Sequence, residues 1–242
     1  KDLLTPMAGA EYKFEDSTRL FASVARKGRF PTLQQLYSSK GGNTDLEPET
    51  SVNTTVGASR SFFDDVFWLE AAYFNHYIDD WISRDGPSPL NQYQNYGKVV
   101  MNGLEVNAEL KPLRELALSL GYTFNHARDQ SPDHASDYVL DTPEHTLDLK
   151  ARYTVPDLET RIDVAQQFTS KIYSQLPTAQ NPTLETQEVD GYSLGNAKLT
   201  QPLTAFFDVY VSCDNIWDTD YETVYGFPQR GRTFIFGVDG KY

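Results

Sequence analysis

Apolar and polar residues alternate strictly along most of this chain, and a period of two residues is what a strand with one apolar face requires. Leu116, Leu118, Leu120, Tyr122 and Phe124 share one parity, while Ala117, Ser119, Gly121, Thr123 and Asn125 share the other. His145, Leu147, Leu149, Ala151 and Tyr153 stand against Thr146, Asp148, Lys150 and Arg152. Leu104, Val106, Ala108 and Leu110 stand against Glu105, Asn107, Glu109 and Lys111. The same rhythm recurs in Leu20-Ala22-Val24, Val52-Thr54-Val56-Ala58, Ile162-Val164 and Phe207-Val209-Val211. About eleven such segments can be counted, most of them near the ~9–11 residues of a tilted transmembrane strand. No stretch shows comparable helical periodicity. None reaches the ~18 consecutive apolar residues of a membrane helix either, a point that does not bear on a barrel, whose strands need only alternate.

The connections alternate as well. Short turns are expected at Glu15-Asp16-Ser17, Phe63-Asp64-Asp65, Pro112-Leu113-Arg114, Pro156-Asp157-Leu158 and Pro202-Leu203-Thr204. Between them lie long polar loops: Gly28 to Glu47, Arg84 to Gln94, Arg128 to Pro143, Tyr173 to Glu188 and Trp217 to Arg230. Short turns on one rim and long loops on the other are the habit of bacterial outer-membrane barrels. A soluble β-sandwich also alternates, but its strands average only ~5–6 residues and its loop lengths seldom segregate so regularly. The predicted fold class is therefore all-β, an antiparallel transmembrane barrel wall.

Composition narrows the function. Tyr and Phe number 15 and 14 while hydrophobic residues are only 39 % of the chain, which suits strands apolar on one face better than a large dry core. A net charge of −13 argues against nucleic acid, whose phosphates need a basic surface. Cys213 is the single cysteine, so no intrachain disulfide forms, and a small apolar strand residue is its simplest role. Lys1 opens no basic and apolar leader, so either a leader has been removed or the chain begins in mid-protein.

Bond-breaking chemistry is not expected. There is no Gly-x-Ser-x-Gly elbow, no phosphate-cradling glycine loop and no cysteine pair for zinc, and neither a cofactor nor a metal is called for. The histidines are His76, His126, His134 and His145. His145 lies on an apolar strand face, while His76 and His126 sit near strand ends, in interfacial or lumenal positions. Asp129, Asp133, His134, Asp137 and Asp141 crowd one loop; their spacing does not fit the Asp-x-Asp-x-Asp-Gly calcium loop, and a solvated acidic loop is the simpler reading.

Several segments, in order, resemble the TonB-dependent outer-membrane receptors. Arg29-Phe30-Pro31-Thr32-Leu33 followed by Gly42-Asn43-Thr44-Asp45-Leu46-Glu47-Pro48-Glu49-Thr50 resembles their signature loop, a Phe-Arg-Ala-Pro element and then a Gly-Asn-Pro-x-Leu-x-Pro-Glu element. This chain lacks the Ala before Pro31 and has Thr44 where Pro is usual. Ala71 to Ile82 is similar to a Tyr-Phe-x-x-x-Ile-x-Asp-x-Ile strand, and Tyr96 to Glu105 to the segment that follows it. Asp214-Asn215-Ile216-Trp217-Asp218-Thr219-Asp220-Tyr221 resembles an Asn-Leu-Phe-Asp-x-x-Tyr element, and Gly231-Arg232-Thr233-Phe234 a Gly-Arg-Thr-Phe element. The final stretch, with Phe234, Phe236, Val238 and Tyr242 on one face, resembles the C-terminal strand that barrel assembly machinery recognises, with Tyr in place of Phe.

The resemblance implies the C-terminal half of a 22-stranded barrel, its plug and first half lying outside this sequence. It implies a Gram-negative outer-membrane receptor importing a scarce nutrient, a ferric siderophore or cobalamin. The partners would be outer-membrane lipids, the TonB complex acting through the plug, and the assembly machinery. Haem receptors of the family commonly place a His in the signature loop, and Arg29 to Asn43 contains none. Contacts to a small-molecule chelate are expected from long-loop residues, with Tyr37, Arg84, Tyr93, Tyr96, Arg128, Tyr138 and Tyr173 as candidates because aromatics and arginines suit organic chelates and anionic groups. Tyrosines at that height also form the aromatic girdle of any barrel. The rival readings are a passive porin-like channel, a soluble β-sandwich binding module and an outer-membrane enzyme.

Overall fold

The computed structural model describes residues 2–83, 92–132, 134, 136–177 and 183–240. Among these, the elements in chain order are β1 (Met7–Lys13), β2 (Thr18–Arg29), α1 (Leu33–Tyr37), β3 (Glu49–Phe62), β4 (Phe67–Ser83), β5 (Gln94–Leu113), β6 (Leu116–Asp129), β7 (His145–Thr154), β8 (Arg161–Thr169), β9 (Ile172–Gln175), β10 (Gln187–Val189), β11 (Tyr192–Pro202), β12 (Phe207–Asp214) and β13 (Thr233–Gly240). Eleven strands form one antiparallel sheet in the order β1-β2-β3-β4-β5-β6-β7-β8-β11-β12-β13, and β9 pairs with β10 apart from it. Each strand pairs with its sequence neighbour except where the β9–β10 hairpin is inserted. That up-and-down order matches the fold expected from the alternation.

Cross-strand register carries one apolar face through the whole sheet. Leu20, Ala58, Ala71, Val106, Tyr122, Leu147 and Phe168 are successive partners from β2 to β8. Starting beside the short β3–β4 turn, Phe62, Phe67, Leu110, Leu118, Ala151, Val164, Ala197, Cys213 and Phe234 form a second row that ends at the long-loop end of β12 and β13. This face is open: Val56 is 52 % exposed, Tyr73 50 % and Phe236 77 %. A continuous apolar surface of this extent in water would be an association site; against lipid it is the ordinary outer face of a barrel wall.

The opposite face is polar and ionic. Arg19 bridges Glu11 at 2.6 Å and Glu70 at 3.3 Å, and Asp163 accepts from Arg152 at 2.5 Å and Arg161 at 3.2 Å. Small residues let aromatics lie flat here. A side chain at Gly103 would collide with the Phe124 carbonyl and the Phe74 ring, and one at Gly57 with the Phe21 ring.

The short turns fall on one rim, as the sequence predicts, and local backbone chemistry makes them. Phe63, Asp64 and Asp65 all adopt left-handed conformations, with φ of 58°, 54° and 65°, and Asp tolerates this region better than most residues. At the first turn Asp16 accepts the Thr18 amide at 3.2 Å. Aromatics crowd this rim: Tyr12 meets Phe14 edge-on at 4.7 Å, and Phe62 stacks on Phe67 at 5.7 Å.

Three features depart from the sequence expectation. Strands β4 and β5 run for 17 and 20 residues, beyond the transmembrane length, because their ladder continues past a bulge between Ile78 and Trp81 into the long-loop rim. Residues 33–37, expected as loop, form α1, whose Thr32 accepts the Gln35 amide at 3.2 Å while the Gln35 side chain accepts the Thr32 amide at 2.9 Å. This capping box is legible as Thr-x-x-Gln. The loop expected from Tyr173 to Glu188 is instead partly paired, with Tyr173 in β9 and Glu188 in β10.

Candidate functional site

Burial in this molecule is concentrated at the long-loop rim. Leu46, Ile82, Val99, Ala127, Leu176 and Val189 are all under 9 % exposed, whereas mid-wall side chains on the apolar face are open. The rim is therefore where the chain makes a packed tertiary structure, and where a ligand surface can be held rigid.

The signature loop is closed at its base by one ion pair. Arg29 ends β2 and Glu49 opens β3; the guanidinium donates from Nε to Oε2 at 2.7 Å and from Nη2 to Oε1 at 2.6 Å. Such a two-point pair fixes orientation as well as distance. Glu49 Oε1 also accepts the Ile82 amide at 2.9 Å, so the same carboxylate ties β3 to the extended end of β4. Leu46 and Pro48 are buried, which explains the Leu-x-Pro-Glu spacing: two alternate residues point into the rim and Glu49 reaches the arginine. Asn43 donates to the Tyr93 carbonyl at 2.8 Å, Tyr93 N–H donates to the Gly41 carbonyl at 3.0 Å, and Gln92 donates to the Gly42 carbonyl at 2.8 Å. Asn95 acts as a substitute strand, accepting the Glu47 amide at 2.7 Å and donating to the Glu47 carbonyl at 2.8 Å and the Asp80 carbonyl at 2.9 Å. Asn95 carries no sequence signal that distinguishes it; only its partners reveal it.

A second clamp joins the two late motifs. Asn215, buried at 4 % exposure, accepts the Thr219 amide and donates to the Thr219 carbonyl, both at 2.9 Å. Asp218 accepts the Arg232 amide at 2.7 Å, and the Arg232 guanidinium donates back to the Ile216 carbonyl at 2.8 Å. Trp217 donates its indole N–H to Gln166 at 2.8 Å. The Asn-Ile-Trp-Asp and Gly-Arg-Thr elements are thus two halves of one loop base.

Of the candidate ligand residues, Arg128, Tyr138 and Tyr173 come together. The rings of Tyr138 and Tyr173 lie 4.4 Å apart. The Arg128 guanidinium stands 5.2 Å from the Tyr138 ring and the Lys171 ammonium 5.3 Å from the Tyr173 ring. Lys171, which sequence reading missed, is paired with Glu188 at 2.9 Å. The result is a stack of cation, ring, ring, cation at the top of β6 and β9, suited to flat anionic or aromatic groups. Tyr37 stands apart at the end of α1, 69 % exposed, as do the exposed Phe30 and Leu33. Tyr93 belongs to the signature-loop clamp, and Tyr96 lies within β5. Arg84 lies outside the described residues, as do Asp133 and Tyr242.

Among the described residues, the aspartates at the end of β6 and in the loop that follows are bonded within that loop or to β9. Asp129 accepts the Ser131 amide at 2.8 Å, Asp141 accepts from Ser174 at 3.3 Å, and Asp137 faces His134 at 2.6 Å. Among the described residues no group of three or more His, Cys, Asp or Glu converges as a metal site would. The histidines spread widely: His145 pairs with Phe124 on the apolar face, bonded to the Tyr122 hydroxyl at 2.8 Å, while His126 meets Glu144 at 3.3 Å and His76 stands opposite Asn53 and Met101. On β13, Phe236 and Val238 pair with Val211 and Val209 on the apolar face.

Residues 1–216 match the family model described as TonB dependent receptor-like, beta-barrel. Among solved structures, the ferric-catecholate import receptor Fiu of E. coli K12 is 22 % identical with a TM-score of 0.74, over 96 % of this chain and 34 % of that one. The siderophore receptor PiuA of Acinetobacter baumannii is 19 % identical with a TM-score of 0.77, over 98 % and 35 %. A mutant of the ferric enterobactin receptor PfeA of Pseudomonas aeruginosa is 19 % identical with a TM-score of 0.77, over 97 % and 39 %. The chain spans about a third of the length of these proteins. An eleven-stranded wall apolar on one face, a signature loop clamped Arg29 to Glu49, and a family match over most of the sequence together establish that this chain belongs to the TonB-dependent receptor family, as part of its β-barrel.

Proposed function

We propose that this chain is the C-terminal half of the barrel of a receptor that imports a ferric siderophore across the Gram-negative outer membrane by TonB-dependent transport. The observation that carries the reading is the coincidence of a continuous, one-face-apolar sheet with a rim that gathers Arg128, Tyr138, Tyr173 and Lys171 into a stack suited to an organic chelate. The similar structures named above are a ferric-catecholate import receptor, a siderophore receptor and a ferric enterobactin receptor, which favours an iron chelate over cobalamin.

The sheet edges support an incomplete wall. Among the described residues β1 and β13 pair on one side only, and unpaired backbone groups in hydrocarbon cost several kcal/mol each. With eleven antiparallel strands the two edge strands run in the same sense, so they cannot join as an antiparallel pair, which favours closure of the barrel by further strands. A plug in its lumen would face the ionic polar wall and carry the contact with TonB. The apolar face would meet lipid, and Phe234, Phe236 and Val238 would present the assembly signal. The chain would bind and pass its cargo without breaking bonds.

The test is uptake of a radio-iron-labelled siderophore by cells expressing the receptor, with and without TonB. TonB-dependent accumulation is expected. Accumulation that persists without TonB would sink the proposal in favour of a passive porin-like channel.

A further inference from the structure

Resting on that reading of the rim, we infer that His134 is a positioning residue: as an imidazolium it clasps the β6–β7 loop and holds Tyr138 against Arg128 and Tyr173. The geometry requires two donors on one ring. Nδ1 lies 2.6 Å from the Ser131 carbonyl oxygen and Nε2 lies 2.6 Å from Asp137 Oδ1. Both partners are acceptors, the carboxylate when ionised, and a neutral imidazole has a single N–H. Only the doubly protonated ring satisfies both.

The two contacts close a ring of interactions. Ser131, 5 % exposed, is fixed by its amide donating to Asp129 at 2.8 Å and by its hydroxyl accepting the Lys98 amide of β5 at 2.9 Å. The Asp129 amide donates to the Asp137 carbonyl at 2.9 Å. His134 thus links the β5-anchored side of the loop to the residue immediately before Tyr138. Without the clasp, the Asp137–Tyr138 segment keeps its single backbone bond to β6, and the ring pair loses its support on that side.

The charges around the ring agree with this. Asp137 of its own loop and Asp129 at the end of β6 face it, and both favour the cation. Lys98 of β5 meets the clasp through its backbone, its ammonium acting on Asp80 instead. Arg128 is turned to the Tyr138 ring, and Lys171, just before β9, to Glu188. The Asp137 hydrogen bond first, and the Ser131 carbonyl second, hold the His134 pKa above the ordinary histidine value of about 6.5. A raised folded-state pKa means the clasp is fully present below about 6.5 and is lost as pH rises through the higher folded value. Each unit of elevation is about a tenfold loss of loop closure on deprotonation.

The test uses the receptor carrying this chain, in detergent micelles. Nitrogen-15 histidine NMR, with the His134 signal assigned by its loss in His134→Gln, should show both ring nitrogens protonated at pH 6 and a titration above the ordinary range that Asp137→Asn lowers. Exchange of the Asp129 amide, corrected for its intrinsic pH dependence, should quicken through that same pH in the native protein and show no step in His134→Gln. Titration at or below 6.5 would overturn the clasp, as would an unaltered exchange step in His134→Gln. Ferric-siderophore affinity measured over the same pH range separates the two proposals: a clasp that titrates while affinity stays flat leaves the clasp standing and removes the Tyr138–Tyr173 stack from the ligand site.

Discussion

The two rims of this sheet reverse the chain by different physics. On the short-turn rim, Phe63, Asp64 and Asp65 fold back through three consecutive left-handed residues, and Asp16 closes its turn on an amide two residues away. Everything needed lies within a few residues. On the long-loop rim, Arg29 reaches Glu49 across 20 residues, Asn95 reaches Glu47 across 48, and Gln166 takes the Trp217 indole across 51. A short turn is a property of its own backbone, whereas a long loop is held by side chains that tertiary folding must first bring together. Because those distant side chains fix the long-loop surface, the rim proposed to bind is also the rim that can be tuned.

The largest effect should come from the band between the rims. Leu120 sits on the apolar face between Ala108 and Leu149, and Leu120→Arg should cost about 2–4 kcal/mol in a bilayer, measured by denaturant titration in vesicles. Ser119→Arg on the polar face should cost far less; equal costs would mean that the two faces are misassigned. Next, Glu49→Ala removes the acceptor of both Arg29 and the Ile82 amide, an expected loss of about 1.5–3 kcal/mol read as lost exchange protection at Ile82. Protection unchanged at Ile82 would show that the loop base does not depend on this pair. Asn215→Ala strands both backbone groups of Thr219 and should cost about 1–3 kcal/mol, confined to the β12–β13 connection in an exchange map. The smallest change belongs to the short rim. Asp64→Gly, in a left-handed position, should stay within about 1 kcal/mol of the native protein because relief of backbone strain and added chain entropy nearly cancel. A larger loss there than at Glu49 would break the contrast between the rims.

Much of the wall was legible. Leu116 to Phe124 and His145 to Tyr153 land on one face because the pleat has a period of two, so residue parity alone assigns the side. The turns at Asp16, Phe63 to Asp65 and Asp157 were legible for the same local reason. Arg29, Leu46, Pro48 and Glu49 were visible as a motif, but not as a salt bridge with two buried alternates behind it. Asn95 and Lys171 gave no signal, since an asparagine at the start of a strand or a lysine between two strands is unremarkable until its partner is known. The extra length of β4 and β5 was hidden because beyond the membrane band the ladder continues without apolar alternation.

By itself the sequence determined the period, the faces and the short turns, all of which depend on residues within a few positions of one another. Only the tertiary structure decided which loop residues meet: that Arg128, Tyr138, Tyr173 and Lys171 stack, and that Asp218 and Arg232 interlock. Those contacts depend on the register of strands far apart in sequence, and pairing across a sheet is a global outcome that no local pattern encodes.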